Sequence, residues 1–139
     1  MEDLLSARLN FQPVGKQAIA GGFRPLHDDS HIALVISKRR RDSQRFYLSR
    51  LIGCAFVARV EDSLLPITDA ATATQKFERA FAQELLCPWA SLDRFTDEHG
   101  IDEEGMTQAA EHFEVSEQLI ISTLVNRGKL ERERLAQLA

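Results

Sequence analysis

The sequence predicts an α+β fold in which a small antiparallel sheet near the N-terminus is followed by four or five helices. A short apolar run at residues 31–37 is typical of a strand, and two longer segments, residues 42–58 and 75–88, repeat apolar residues at three- and four-residue steps. At 139 residues, with 44% hydrophobic and 27% charged residues, the chain has the size of one domain and the composition of a soluble globular protein.

Membrane and secretory classes are disfavoured by the sequence. No apolar run approaches the ~18 residues that a membrane span requires. Cys54 and Cys87 are too few for a disulfide framework, and both lie in apolar helical patterns. We therefore expect reduced cysteines and a cytoplasmic protein without a membrane partner.

The N-terminal part is expected to hold a short helix at residues 1–10 and the small sheet. Gly21-Gly22 is expected to form the turn between two strands, because glycine pairs are common in hairpin turns. The strongest strand pattern runs from His31 to Ser37 and is bounded by polar residues and by a basic run. We expect one domain, 1–139, with three parts: residues 1–37, 38–90 and 91–139.

Two long helices are expected in the middle part. The first covers residues 42–58, and its inner face holds apolar residues at helical spacing: Leu48, Leu51, Ile52 and Ala55. The second contains Gln75–Pro88 and starts after an N-cap at Thr68 or Asp69. Its expected apolar stripe consists of Ala80, Phe81, Leu85 and Leu86. The residues between the helices, 59–74, are expected to be a connection without a helix, because Pro66 argues against one, and Leu64, Leu65 and Ile67 are expected to lie against the core.

Three shorter helices are predicted at residues 91–98, 103–113 and 117–126. Ser116 is the expected N-cap of the last helix, and Gly128 is its expected C-terminal stop. The inner faces of the last two helices hold Met106, Ala109, Ala110 and Phe113, and then Leu119, Ile120, Thr123 and Leu124. This helix pair has the outline of a helix-turn-helix, but glutamates surround its turn and would repel phosphates, so structural packing is favoured over DNA binding.

Two short motifs connect the chain to a known family. Gln44-Arg45-Phe46-Tyr47-Leu48-Ser49 matches the run that enters the zinc-binding helix of the ImmA/IrrE metallopeptidases, and Phe81–Pro88 matches the end of a later helix. The chain therefore resembles this family, and the resemblance continues to about residue 130. It implies a zincin-like ImmA/IrrE fold. It also implies a role in bacterial or phage regulation, since family members often cut helix-turn-helix repressors.

The residues that carry the family's chemistry are replaced in this chain. The family's H-E-x-x-H helix holds zinc with two histidines and uses the glutamate as general base. Carried over by the resemblance, these positions are Arg50, Leu51 and Cys54, and a glutamate ligand of the second helix falls on Gln75. A guanidinium has no lone pair to donate to a metal, and leucine accepts no proton.

The resemblance therefore implies a catalytically inactive pseudo-metallopeptidase with no catalytic residue and no metal cofactor. Its expected partner is a protein, either a regulator such as a repressor or another domain of a longer chain. The resemblance also suggests what fills the place of the metal: if the two long helices cross as in the family, Arg50 pairs with Glu78 or hydrogen-bonds Gln75. The alternative is that Arg50 extends along the surface to water.

An active zinc metallopeptidase with atypical ligands stays open as a second function. It would draw its ligands from four residues: His27, His31, Cys54 and Glu78. The stretch His27-Asp-Asp-Ser-His31 is the chain's only His/Asp cluster, although aspartate and serine are also common in turns for backbone reasons. Whether His27 and His31 bind a metal is left open by the sequence.

A nucleic-acid-binding module is the third possibility. Residues 38–50 contain six basic residues against Asp42 alone, so this stretch carries +5 and the rest of the chain −9 of the total of −4. The basic patch, defined here as Lys38, Arg39, Arg40, Arg41 and Arg45, would contact nucleic acid or an acidic protein. The competing interpretation is a solvated loop and helix start.

Overall fold

The computed structural model describes residues 20–23, 33–36, 38–59 and 61–133. Eight elements follow in chain order: β1 (Ala20–Phe23), β2 (Ala33–Ile36), α1 (Arg41–Val57), β3 (Leu64–Ile67), α2 (Ala73–Leu86), α3 (Trp89–His99), α4 (Glu103–Phe113) and α5 (Glu117–Asn126). The predicted α+β class, with a small antiparallel sheet and five helices, is confirmed. The expected helix at residues 1–10 and the His27/His31 cluster lie outside the described residues.

The sheet has the order β2-β1-β3, with both neighbours antiparallel to β1. Gly21 pairs with Val35 on one side and Pro66 on the other, so the prediction that Gly21-Gly22 forms a turn is wrong. A Cβ added to Gly21 would meet the Leu65 carbonyl oxygen at 3.1 Å. The glycine therefore allows close approach of a neighbouring strand, which is the other common reason for glycine in a strand.

The connection after the first helix contains strand β3, which the sequence did not predict; the expected burial of Leu65 and Ile67 is confirmed, and that of Leu64 is wrong. Its side chains alternate, since Leu65 and Ile67 are buried while Leu64 and Pro66 are exposed. Pro66 is compatible with this strand because β3 lies at one edge of the sheet, where a residue without an N–H is tolerated. The proline correctly argued against a helix, but it did not exclude an edge strand.

Helix α1 packs on this sheet. The buried cluster between them consists of Ala20, Leu34, Leu51, Cys54, Leu65 and Ile67, and Tyr47, Leu48, Ala55 and Ala58 pack against it. The contacts of the chain define two units, residues 1–82 and 83–139, with the boundary inside α2. The expectation of one domain stays a prediction.

The expected apolar stripe of α2 is wrong. Ala80 and Leu85 are exposed, and Phe81 and Leu86 are only half-buried. The buried residues of this helix are instead Gln75, Glu78 and Ala82. The helix also starts later than expected, because Thr72 caps it: the Thr72 hydroxyl accepts a hydrogen bond from the Gln75 N–H at 3.2 Å.

The C-terminal unit follows the sequence pattern closely. Helices α4 and α5 have the predicted bounds, and α3 begins two residues earlier than expected, at Trp89. The Ser116 hydroxyl accepts from the Leu119 N–H and caps α5, as predicted. Gly128 has φ +77°, the left-handed conformation of a helix-ending glycine.

The predicted inner faces of α4 and α5 form the core of this unit. Met106, Ala109, Ala110, Leu119, Ile120, Thr123 and Leu124 are all buried, and Phe113 is half-buried. Lys129 forms ion pairs with Asp93 and Asp97 at 2.6 and 2.8 Å, in a more exposed position. Across the described ranges, no helix has the length and apolar character of a membrane span.

Candidate functional site

Arg50 lies in the interior of the N-terminal unit. It is on the buried face of α1, together with Ser49, Leu51, Gly53 and Cys54. Its side chain is 1% exposed, so it does not reach water. A buried guanidinium requires partners, because removing an unpaired charge from water is costly.

Helix α2 supplies two of these partners. Gln75 and Glu78 are three residues apart on its buried face, and Glu78 is fully buried. The Arg50 Nη2 atom donates a hydrogen bond to Gln75 Oε1 at 2.6 Å and lies 3.6 Å from Glu78 Oε2. The structure thus brings Arg50 together with both residues that the resemblance placed near it.

Gln75 connects this cluster to the end of β3. Its Oε1 atom also accepts a hydrogen bond from the Thr68 N–H at 3.1 Å. Its Nε2 atom donates to the Pro66 carbonyl at 3.2 Å and to Glu78 Oε1 at 3.5 Å. The Thr68 carbonyl in turn accepts from Arg50 Nη2. The amide side chain therefore holds strand, helix and guanidinium in one network.

Two further residues contact the guanidinium, and neither was identified from the sequence. Asp69 Oδ1 lies 3.7 Å from Arg50 Nη1, and the aspartate side chain is 90% exposed. The Tyr47 ring lies 5.5 Å from the Arg50 Cζ atom, within the range of a cation–π contact. The sequence predicts Thr68 and Asp69 only as helix caps, because no periodic pattern marks a residue that approaches from a loop.

Cys54 lies beside Glu78 and completes the cluster. Burial, together with the charge of the neighbouring Glu78 and a hydrogen bond to it, raises the pKa of the Cys54 thiol to about 11. Burial also raises the pKa of the Glu78 carboxyl, while hydrogen bonding from Cys54 and the charge of Arg50 oppose this shift. In this cluster the thiol therefore carries its proton at neutral pH and donates a hydrogen bond to Glu78, which disfavours a role as nucleophile.

Two polar atoms at the centre of the cluster have no hydrogen-bond partner among the described residues. These are Arg50 Nε and Glu78 Oε2. Glu78 Oε2 still faces the guanidinium at ion-pair distance. The network is therefore held mainly by Gln75 and the Thr68 carbonyl, with the carboxylate as a charge partner.

The donor set of this cluster does not fit a zinc ion. Arg50 offers no lone pair, and Leu51 is a buried apolar residue of the core, so Cys54 would be the sole ligand among the residues at the family's zinc-helix positions. In the part of the chain that the structure describes, no three His, Cys, Asp or Glu side chains are arranged to hold a metal ion. A divalent cation in this place would also meet the fixed positive charge of the guanidinium.

The basic patch lies at the start of α1, and none of its five side chains is fully buried. Arg39, Arg40 and Arg41 are exposed, while Arg45 is half-buried. Arg40 pairs with Asp42 at 2.9 Å, and the Lys38 Nζ atom lies over the Tyr47 ring at 5.2 Å. Arg40 occupies the N-cap position of α1 without a side-chain cap.

Exposed aromatic side chains form a second surface feature, which the sequence did not reveal. Phe56 is 72% exposed and Phe77 is 42% exposed, and both rings contact Phe81, with centroids 5.6 and 6.2 Å apart. Phe81 lies directly on Gly53, where an added Cβ would be 3.0 Å from its ring. A glycine within a helix was the available signal, because such a residue often marks a close contact.

Comparison of the sequence with models of known protein families finds no match, and comparison with curated proteins finds none. The resemblance to the ImmA/IrrE family consequently depends on the two motifs of the sequence and stays a prediction.

Proposed function

We propose that this chain is a catalytically inactive, ImmA/IrrE-like domain that binds a protein partner in the cytoplasm and acts in regulation. Its partner is a regulator such as a transcriptional repressor, or another domain of a longer protein. The observation that carries this proposal is the buried Arg50, which hydrogen-bonds Gln75 and faces Glu78. Arg50 and Gln75 stand at two of the positions at which the resemblance would require metal ligands.

The chemistry of the cluster supports a loss of catalysis. A catalytic zinc site uses about three protein ligands and keeps one position open for water. Here the guanidinium occupies the space between α1 and α2, and it is bonded to Gln75 and to the Thr68 carbonyl. The general base of the family falls on Leu51, which packs in the core. The positions of the family's motif therefore offer neither a histidine ligand nor a general base to activate a water.

The surface of the N-terminal unit supports protein binding. Contiguous exposed apolar surface often marks a protein-interaction site, and the exposed rings of Phe56 and Phe77 both contact the half-buried Phe81. Cys54 and Cys87 are both free and buried, which agrees with a reducing compartment.

Metal content tests this proposal directly. The protein is purified without a chelator or a histidine tag, and its zinc is measured by elemental analysis. We expect far less than one equivalent of zinc per chain. Stoichiometric zinc in the unaltered protein would overturn the proposal and would favour an active metallopeptidase with atypical ligands, among them Cys54 and Glu78.

A restored variant tests the resemblance on which the proposal depends. The substitutions R50H, L51E, C54H and Q75E rebuild the family's motif at the positions the resemblance assigns. If the resemblance is right, this variant binds zinc, and its circular dichroism retains the helical signal. A folded variant that binds no zinc would show that these four positions do not converge on a metal site.

A further inference from the structure

The charge of this chain is divided unequally between its two units. Residues 1–82 contain twelve Lys and Arg against nine Asp and Glu, a net charge of +3, whereas residues 83–139 contain five against twelve, a net charge of −7. Within the N-terminal unit, the positive charge is concentrated in the basic patch. Such a separation creates a local positive field despite the net negative charge of the whole protein.

The cations of the basic patch differ in how far they are already neutralised. Arg40 is paired with Asp42, and Lys38 lies over Tyr47. Arg39 and Arg41 are exposed, and among the described residues neither has an acidic partner. Buried Arg50 is occupied by its own cluster. Arg39 and Arg41 are therefore the residues best placed to meet an external anion.

From this arrangement we propose that the start of α1, at Arg39 and Arg41, is a docking surface for an acidic segment of a partner protein. Arginine presents a planar fork of N–H donors that matches a carboxylate with two parallel hydrogen bonds. The positive end of the α1 dipole adds to the attraction, because the helix begins at Arg41. This inference rests on the proposed protein-binding function and names the chemistry of the partner.

An acidic peptide fits this surface better than a nucleic acid does. Proteins that hold nucleic acid firmly neutralise on the order of 6–10 phosphates, whereas this patch offers few exposed cations. A short acidic segment needs to meet only the arginines at the start of α1.

Fluorescence anisotropy with a labelled peptide of alternating glutamate and serine tests the surface, and oligo(dT) of equal charge serves as the competing probe. The variant R39Q/R41Q removes the two exposed arginines. The control K76Q/R94Q removes two exposed positive charges elsewhere, so that both variants have the same net charge. Thermal unfolding verifies that each variant is folded.

We expect the peptide to bind the unaltered protein at low salt, about tenfold more weakly to R39Q/R41Q, and within about twofold of the original affinity to the control. Equal losses in both variants would show that only net charge matters and would overturn the proposal. Tighter binding of oligo(dT) than of the peptide would indicate that the surface binds nucleic acid instead of an acidic protein segment. Absence of peptide binding at low salt would refute the docking surface.

The same samples separate this inference from the proposed function. Mass spectrometry of the peptide after incubation shows whether it has been cut. A cut peptide would contradict the non-catalytic function whatever the arginines do. An intact peptide that binds without dependence on Arg39 and Arg41 would refute only the docking surface.

Discussion

The interiors of the two units of this chain are built from different kinds of side chain. The N-terminal unit encloses an arginine, a glutamate and a glutamine beneath its first two helices, with Arg50 1% exposed and Glu78 fully buried. The C-terminal unit fills its interior with residues such as Ile120 and Leu124 and places the Lys129 ion pairs in a more exposed position. A buried ion pair is a poor source of stability, because the desolvation of both charges offsets their attraction.

This difference suggests that the polar interior of the N-terminal unit has an origin other than stability. An apolar core of the same volume would hold α1 and α2 together at least as well. The cluster does fix one relative position of the two helices, because Gln75 bonds Arg50, Thr68 and Pro66 simultaneously. On the proposed function, the cluster fills the space of a lost metal site and keeps the scaffold that the partner recognises.

The largest effect is expected from breaking the buried pair on one side. Arg50→Met leaves Glu78 buried without its charge partner and should lower the free energy of unfolding by ~3–5 kcal/mol at neutral pH. The double variant R50M/E78L removes both charges and should be more stable than the single variant. Urea unfolding of the two variants measures the difference. If R50M alone costs no more than the double variant, the two side chains are not coupled.

A counterpart in the C-terminal unit tests the apolar interior. Leu124→Ala removes a fully buried side chain and should cost ~2–5 kcal/mol, through lost burial and the cavity left behind. Leu85→Ala is the matched control, because Leu85 is 52% exposed although the sequence pattern assigned it to an apolar stripe. Urea unfolding should show a much smaller loss for Leu85. Equal losses of unfolding free energy would indicate that Leu85 belongs to a buried apolar stripe, contrary to the structure.

Ser116→Ala should have a smaller effect within the same unit. The hydroxyl of Ser116 accepts a hydrogen bond from the Leu119 N–H at the start of α5, and loss of such a cap costs ~1 kcal/mol. Ser91→Ala on α3 is the control, since this serine is exposed and lies inside a helix. Thermal unfolding compares the two midpoints. A loss for Ser91 as large as for Ser116 would mean that capping is not the cause.

The contrast between the units also explains which parts of the fold were predictable. In α4 and α5, every buried position is apolar or small, so helical periodicity and the Ser116 cap were sufficient to place both helices. In α2, two of the three buried residues are Gln75 and Glu78, which an apolar periodic pattern assigns to the surface. Their burial depends on Arg50, 25 residues earlier in the chain, and no local signal carries that information.

Strand β3 shows the same limit for the sheet. Leu65 and Ile67 alternate with exposed residues over only four positions, and Pro66 interrupts the pattern. Gly21 and Gly22 fit a turn as well as a strand until the neighbouring strand is known. The proximity of Arg50 to Gln75 and Glu78 was expected only because of the family resemblance. The physical chemistry of the sequence alone left Arg50 free to reach water.

The smallest expected effect concerns pH and isolates Glu78. Burial raises the pKa of this carboxyl above its ordinary value of 4.5, and the hydrogen bond from Cys54 and the charge of Arg50 offset only part of this increase. A carboxyl with a raised pKa binds its proton more tightly in the folded state, so its contribution to stability is present below the unfolded pKa and is lost as pH rises through the folded pKa. The stability of the unaltered protein relative to Glu78→Gln should therefore decrease from acidic to neutral pH.

Urea unfolding of the two proteins at a series of pH values measures this difference, because the other carboxylates are common to both. Glu98→Gln, on the exposed surface of α3, controls for the removal of one carboxylate. A relative stability that increases with pH would show that the attraction to Arg50 outweighs the burial of Glu78. The buried pair would then stabilise the N-terminal unit. The two interiors would differ in their chemistry, but both would contribute to stability.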